Sequence, residues 1–392
     1  MRPYRATRRQ QWRRLRSPYF RTTSASPLVV LFICLIVGSI RAEQPATVAV
    51  AAAQAVELER SPSDALVPAG SKAPSSEKQV APSQPSVCQT FRVRPQDQIW
   101  IVSTRHLGCP SAGKYEPALA FWRYEKGSWQ PASAAEFYAA DSADLVTPIY
   151  VHGNQIDSSL AASYGLSFYF ELVGKLDSEP PARFVIWSWP SDQIRGPLRD
   201  VRAKAARSDD DAYYLSYFLA HMKPEVRVGL LGYSFGARIE SGAMHLLGGG
   251  SLLGQSLAPA PRPQVRVAMW AAAEHNHWYL PGQFHGQALA AADAWCITVN
   301  CCDPILARYR WIDKCSDPVA VGYAGIYGRN MLPSDIDARI EEVNVSNIVG
   351  REHDWRQYLY SRYIQDRTRD YLLWHELGVH GTQLAGALTA AK

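Results

Sequence analysis

The run Val226-Arg-Val-Gly-Leu-Leu-Gly-Tyr-Ser-Phe-Gly-Ala237 constrains the fold of this chain more than any other segment. An apolar stretch of β character runs directly into Gly232-Tyr-Ser-Phe-Gly236, and small residues with helical spacing follow. Strand, tight turn and helix in that order hold the middle serine in a cramped backbone conformation at the carboxyl end of the strand. Glycine lacks Cβ and alone fits the two flanking positions. The first N–H groups of the following helix are unpaired and available at the same place. A glycine-rich turn with an inert serine has the same spelling, so the rest of the chain must decide whether Ser234 does chemistry.

Apolar runs at residues 98–105, 118–124, 147–153, 183–189, 226–231, 265–270, 295–300 and 341–348 read as strands, and helical spacing marks residues 157–176, 200–222 and 355–377. The first two strands suit an antiparallel edge. The others alternate with helices and are continuously apolar, so a mostly parallel sheet of about eight strands, covered by helices on both faces, is expected. Sites in such sheets form beyond the carboxyl ends of the strands. The third strand delivers His152-Gly-Asn154 there, the fifth Ser234, the seventh Asn300-Cys-Cys-Asp303, and the eighth is followed by Gly350-Arg-Glu-His353.

A serine hydroxyl is a weak nucleophile and needs a base, and the base needs a carboxylate to fix its tautomer. His353 is the expected base and Asp303 the orienting acid. Asp303 also reads as a turn residue before Pro304, and Glu274, just past the sixth strand, is the rival acid. The N–H groups of Phe235 and Asn154 are the expected oxyanion donors, with His152 anchoring its turn. Tyr233, Trp189 and Trp278 are expected at the mouth as substrate contacts, with residues 280–292 as cover. No metal or cofactor is expected: the cysteines lack paired CxxC spacing.

The first 41 residues carry nine arginines and no acid, and residues 27–40 form an apolar run. A basic head before a run too short for the roughly 20 residues of a membrane span reads as a secretory signal, residues 1–42. Left uncleaved, residues 27–40 would hold the chain on a membrane. Export to the periplasm, envelope or exterior is expected in either case. Without those nine arginines, 32 basic residues face 36 acidic ones, so nothing points to nucleic acid. Residues 43–87, rich in Ala, Pro, Ser and Gln, read as a disordered linker. One large domain is expected over 88–381, with a flexible tail at 382–392. Six of the seven cysteines follow the leader. Disulfides are expected in an exported chain, Cys88 with Cys109 and Cys301 or Cys302 with Cys315, while buried free thiols at Cys296–Cys315 are the alternative. The oligomeric state is not legible.

The chain resembles the α/β-hydrolases, and within them a bacterial group of serine hydrolases. The resemblance spans about residues 98 to 375 and rests on Tyr150-Val-His-Gly-Asn154, Trp187-Ser-Trp-Pro-Ser-Asp192, Gly232-Tyr-Ser-Phe-Gly-Ala237 and the His353 loop. It implies the α/β-hydrolase fold and serine chemistry with Ser234 as nucleophile, Asp303 as acid and His353 as base. The aromatic residues expected at the mouth suit an apolar acyl or aryl group, so a small-molecule or lipid-like carboxylic ester is the expected substrate, with a thioester or an amide as alternatives. The chain departs from the group's pattern in Tyr233-Ser-Phe, where His-Ser-Met is commoner, and in the cysteine pair before Asp303. A catalytically silent binding protein of the envelope and a peptidase of the same fold are the competing readings.

Overall fold

The computed structural model describes residues 92–110, 116–312 and 317–377. The segments expected to be a leader (1–42), a linker (43–87) and a tail (382–392), together with Cys88 and Cys315, lie outside the described residues. Among the described residues no helix is long and apolar enough to cross a membrane.

Among the described residues nine strands form one sheet, in the order β3-β2-β1-β5-β4-β6-β7-β8-β9. They are β1 Gln98–Ser103, β2 Ala120–Glu125, β3 Ser128–Ala132, β4 Val146–Val151, β5 Arg183–Ser188, β6 Arg227–Tyr233, β7 Gln264–Trp270, β8 Ala294–Val299 and β9 Ile340–Asn344. Only the β1–β2 and β2–β3 pairs are antiparallel; the other pairs are parallel. The protein is therefore an α/β protein with a mostly parallel sheet. β4 and β5 are buried along their whole length, as strands covered on both faces must be.

The ninth strand, β3, corrects the expected count. It is short, largely exposed and carries Pro131, which cannot donate to a ladder and is tolerated because β3 is an edge. The helices depart from expectation in their ends. α1 (Ala134–Ala139) was not anticipated. α2 (Ser158–Tyr169) passes into a π turn at Phe170–Gly174. α3 (Pro197–Ala220) starts a turn earlier than expected, with proline in its first turn. α4 is Phe235–Leu247. The expected last helix is two, Trp355–Leu359 and Arg362–Leu372, because Ser361 caps the second one by accepting from Ile364 N.

On β6, a Cβ on Gly229 would meet Leu372 Cα at 2.4 Å, and a Cβ on Gly232 would meet Ala237 N at 2.5 Å. Their odd spacing places the helix Arg362–Leu372 and α4 on opposite faces of the sheet. Large aromatics fill the space between the layers: Trp100, Trp187, Trp270 and Trp295 are fully buried.

One charge pair inside this core is fully dehydrated. Arg183 Nη2 meets Asp141 Oδ1 at 2.6 Å with both side chains at 0% exposure. The guanidinium also donates to Phe137 O and Thr147 Oγ1 and lies 3.9 Å from the Phe137 ring centre. Removing one partner strands a buried charge. Asp141→Ala is expected to lower the unfolding free energy by about 3–5 kcal/mol, read from urea titration; a loss below about 1 kcal/mol would show that the guanidinium is hydrated or repaired elsewhere.

Candidate active site

Ser234 is the single residue between β6 and α4. Its φ of 56° and ψ of −116° are a conformation that side-chain-bearing residues rarely adopt, at a cost of about 1–3 kcal/mol that the surroundings must impose. They do so through three backbone bonds. Ser234 N donates to Trp270 O at 2.9 Å, and Ser234 O accepts from Ala237 N and Ala273 N at 3.2 Å each. Both flanking glycines are required by close approach. A Cβ on Gly232 would lie 2.4 Å from Glu240 Oε2, and one on Gly236 would lie 2.0 Å from Val151 O.

Three side chains from distant parts of the chain meet at this turn. With its proton on Nδ1, His353 donates to Asp303 Oδ2 at 2.7 Å, and its Nε2 stands 3.2 Å from Ser234 Oγ, placed to accept from it. The Asp303 side chain is fully buried and that of His353 is 16% exposed. Asp303 serves its turn as well: Oδ1 accepts from Ile305 N at 2.8 Å and Leu306 N at 3.0 Å. One oxygen thus fixes the loop and the other faces the imidazole.

Two further side chains hold the loops in register. Asn300, fully buried, donates from Nδ2 to Gly350 O at 2.9 Å and accepts at Oδ1 from Cys302 N at 3.0 Å, tying the histidine loop to the aspartate turn. Sequence reasoning passed over it because an asparagine at a strand end reads as an ordinary turn former. Tyr233 OH donates to His353 O at 2.5 Å. Its ring lines the cavity, but its hydroxyl is committed to the His353 loop. If Ser234 is a nucleophile with His353 as its base, Tyr233→Phe lowers kcat roughly tenfold, the worth of one lost hydrogen bond to the His353 carbonyl, with little change in KM. A raised KM at unchanged kcat would return Tyr233 to a substrate contact.

The turn His152-Gly-Asn154 is fastened by the segment after β5. His152 is fully buried and burial, the main cause, lowers it to about 3, so the ring stays neutral. Its Nδ1 donates to Gly153 O at 2.9 Å, and its Nε2 accepts from Trp189 N and Arg105 Nη2, each at 3.3 Å. Trp189 Nε1 donates to His152 O at 2.7 Å and Ser191 Oγ to Ile156 O at 2.9 Å. Asn154 Nδ2 donates to Asp200 Oδ2 at 2.7 Å. Asn154 and Phe235 both line the cavity with Ser234. Among the described residues no backbone acceptor in a turn, loop or cap takes the amide of either.

Ser234 and His353 lie in a cavity of about 730 Å³, walled by Leu198 and Val201 of α3 and by Ile305, Leu306, Tyr309 and Trp311 after Asp303. A larger recess of about 900 Å³, lined by Ile101, Trp122, Trp129 and α2 serines, contains none of the three.

Several expected placements are corrected. Trp189 is fully buried against His152 and does not line the cavity; its indole N–H needs the partner that the His152 carbonyl supplies. Trp278 stacks on His275 at 4.1 Å and covers the Arg238 guanidinium at 4.6 Å, away from the cavity. Residues 280–292 do not cover the cavity either; the walls come from α3 and the turn Leu306–Trp311. Glu274 does not face His353. It is fully buried, accepts from Tyr279 OH at 2.5 Å and from Ser241 Oγ, and burial pushes it up to about 7. Cys109, Cys296, Cys301 and Cys302 are not joined to one another; the partners expected for them, Cys88 and Cys315, lie outside the described residues.

Neither the protein-family models nor the curated proteins compared with this chain match it.

Proposed function

We propose that the chain is an exported serine hydrolase of carboxylic esters, built on the α/β-hydrolase plan. The observation that carries this reading is the continuous relay from Asp303 Oδ2 through His353 to Ser234 Oγ, with spans of 2.7 and 3.2 Å. In the reaction, His353 Nε2 takes the hydroxyl proton as Ser234 Oγ attacks the ester carbonyl. Asp303 stabilises the imidazolium. The oxyanion is received by the amides of Phe235 and Asn154, preorganised by α4 and by the His152 turn. His353 then returns the proton to the departing alkoxide, leaving an acyl group on Ser234, and a water activated by the same nitrogen releases the acid. The apolar walls favour an alkyl or aryl group beside the carbonyl.

Intact-mass measurement during turnover of a slowly deacylated 4-nitrophenyl ester tests this. The protein should gain one acyl group, located on Ser234 by peptide mapping, at the rate of the 4-nitrophenolate burst. Steady turnover with no covalent acyl group under conditions where the burst is resolved would contradict nucleophilic catalysis.

A further inference from the structure

Beside the catalytic cavity lies a second recess of about 450 Å³, lined by Cys301, Cys302, Asp303, Arg308, Tyr323 and Arg351. Arg308 lines both spaces. The cations around the site are not alike. Arg356, in the catalytic cavity, is neutralised by Asp354 at 3.1 Å. Arg308 has Pro304 O at 3.0 Å as its only partner among the described residues, and Arg351 has none. Both are exposed arginines. Among the described residues Asp303 is the one carboxylate lining the recess, and it is fully buried, with Oδ2 on His353 and Oδ1 on two amides. Among the described residues, the recess therefore presents two guanidinium groups with no ion-pair partner, next to an apolar cavity that holds the proposed nucleophile.

We infer that this recess is an anion subsite, and that the substrate is an ester carrying a carboxylate or phosphate group which Arg308 and Arg351 receive while the ester carbonyl lies at Ser234. Planar guanidinium forks match the paired oxygens of either group. The substrate class rests on the reading of Ser234 as the nucleophile; the anion subsite itself does not.

Cys301 and Cys302 are exposed thiols in the recess and report its occupancy without any turnover. Alkylation by iodoacetamide, a neutral reagent, is followed peptide by peptide in the Ser234→Ala protein and in the wild type. Octanoate or octyl phosphate at about 10 mM, well above the millimolar affinity of one or two charge-assisted bonds, should slow alkylation of Cys301 or Cys302 severalfold. Octanol should not. Protection by octanoate alone identifies a carboxylate, and by octyl phosphate alone a phosphate. It should weaken as salt rises, since these charges are exposed, and disappear in Arg308→Gln/Arg351→Gln. In turnover, the wild type should favour 4-nitrophenyl hydrogen suberate over 4-nitrophenyl octanoate by roughly tenfold in kcat/KM, and the double variant should bring that ratio toward one. Equal alkylation rates with and without both anions would overturn the subsite. Protection that depends on the arginines, in a protein that never acylates Ser234, would keep the subsite and overturn the hydrolase reading.

Discussion

Replacing Ser234 by alanine is expected to lower ester turnover by about 10⁴–10⁶-fold while the protein stays folded. The hydroxyl is the only group at the turn able to form the acyl intermediate, and His353 Nε2 has no other proton to take there. His353→Ala should cost a similar factor, and the double variant little more, because nucleophile and base act as one unit. What remains should come from the two amides and from substrate binding. The alanine should be tolerated structurally: Ser234 is held by its backbone, through bonds to Trp270, Ala237 and Ala273. Comparison of hydrolysis rates at matched secondary structure, measured by circular dichroism, checks this. Retention of a tenth or more of the wild-type rate would place the nucleophile elsewhere.

Asp303→Asn is the second large effect, about 10⁴-fold in kcat. It works through the tautomer. With an amide N–H in place of Oδ2, the His353 nitrogen opposite becomes the acceptor, the ring proton moves to Nε2, and Nε2 can no longer accept from Ser234. The remaining amide oxygen can still take Ile305 N and Leu306 N, as Oδ1 does, so stability should change much less than rate. Asp303→Ala should lose both. A drop in kcat below about tenfold for Asp303→Asn would mean that another group orients the imidazole. Glu274 is not a candidate in this structure, because its two oxygens are engaged by Tyr279 and Ser241 while His353 Nδ1 faces Asp303.

Where the sequence was informative, a backbone pattern carried the information. Continuous apolar runs marked the central strands because burial on both faces leaves no room for alternation. The glycines around Ser234 announced the turn because the approach of Val151 O and Glu240 excludes a Cβ there. The order of strand ends brought Asp303 and His353 to the same edge as Ser234. What was missed depends on where a side chain points. Trp189 lies one residue beyond β5, and only the position of the His152 carbonyl turns its indole inward. Trp278 looks like a mouth aromatic until Arg238 is seen beneath it. β3 was lost because it is short, exposed and interrupted by Pro131, and so resembles a loop. The helix break before Arg362 rests on a single capping serine. Asn300 carries no motif at all; its role exists only because two loops distant in sequence pass on either side of it.

The central claim is that Ser234 is an activated nucleophile and not merely a buried hydroxyl. The direct measurement is reaction with a fluorophosphonate, which phosphonylates a serine only when a base takes its proton and donors receive the phosphoryl oxygen. The folded wild-type protein should be labelled stoichiometrically at Ser234, and the Ser234→Ala and His353→Ala proteins should stay unlabelled. A folded wild type that turns over esters yet carries no label on Ser234, or that is labelled equally well without His353, would contradict the account.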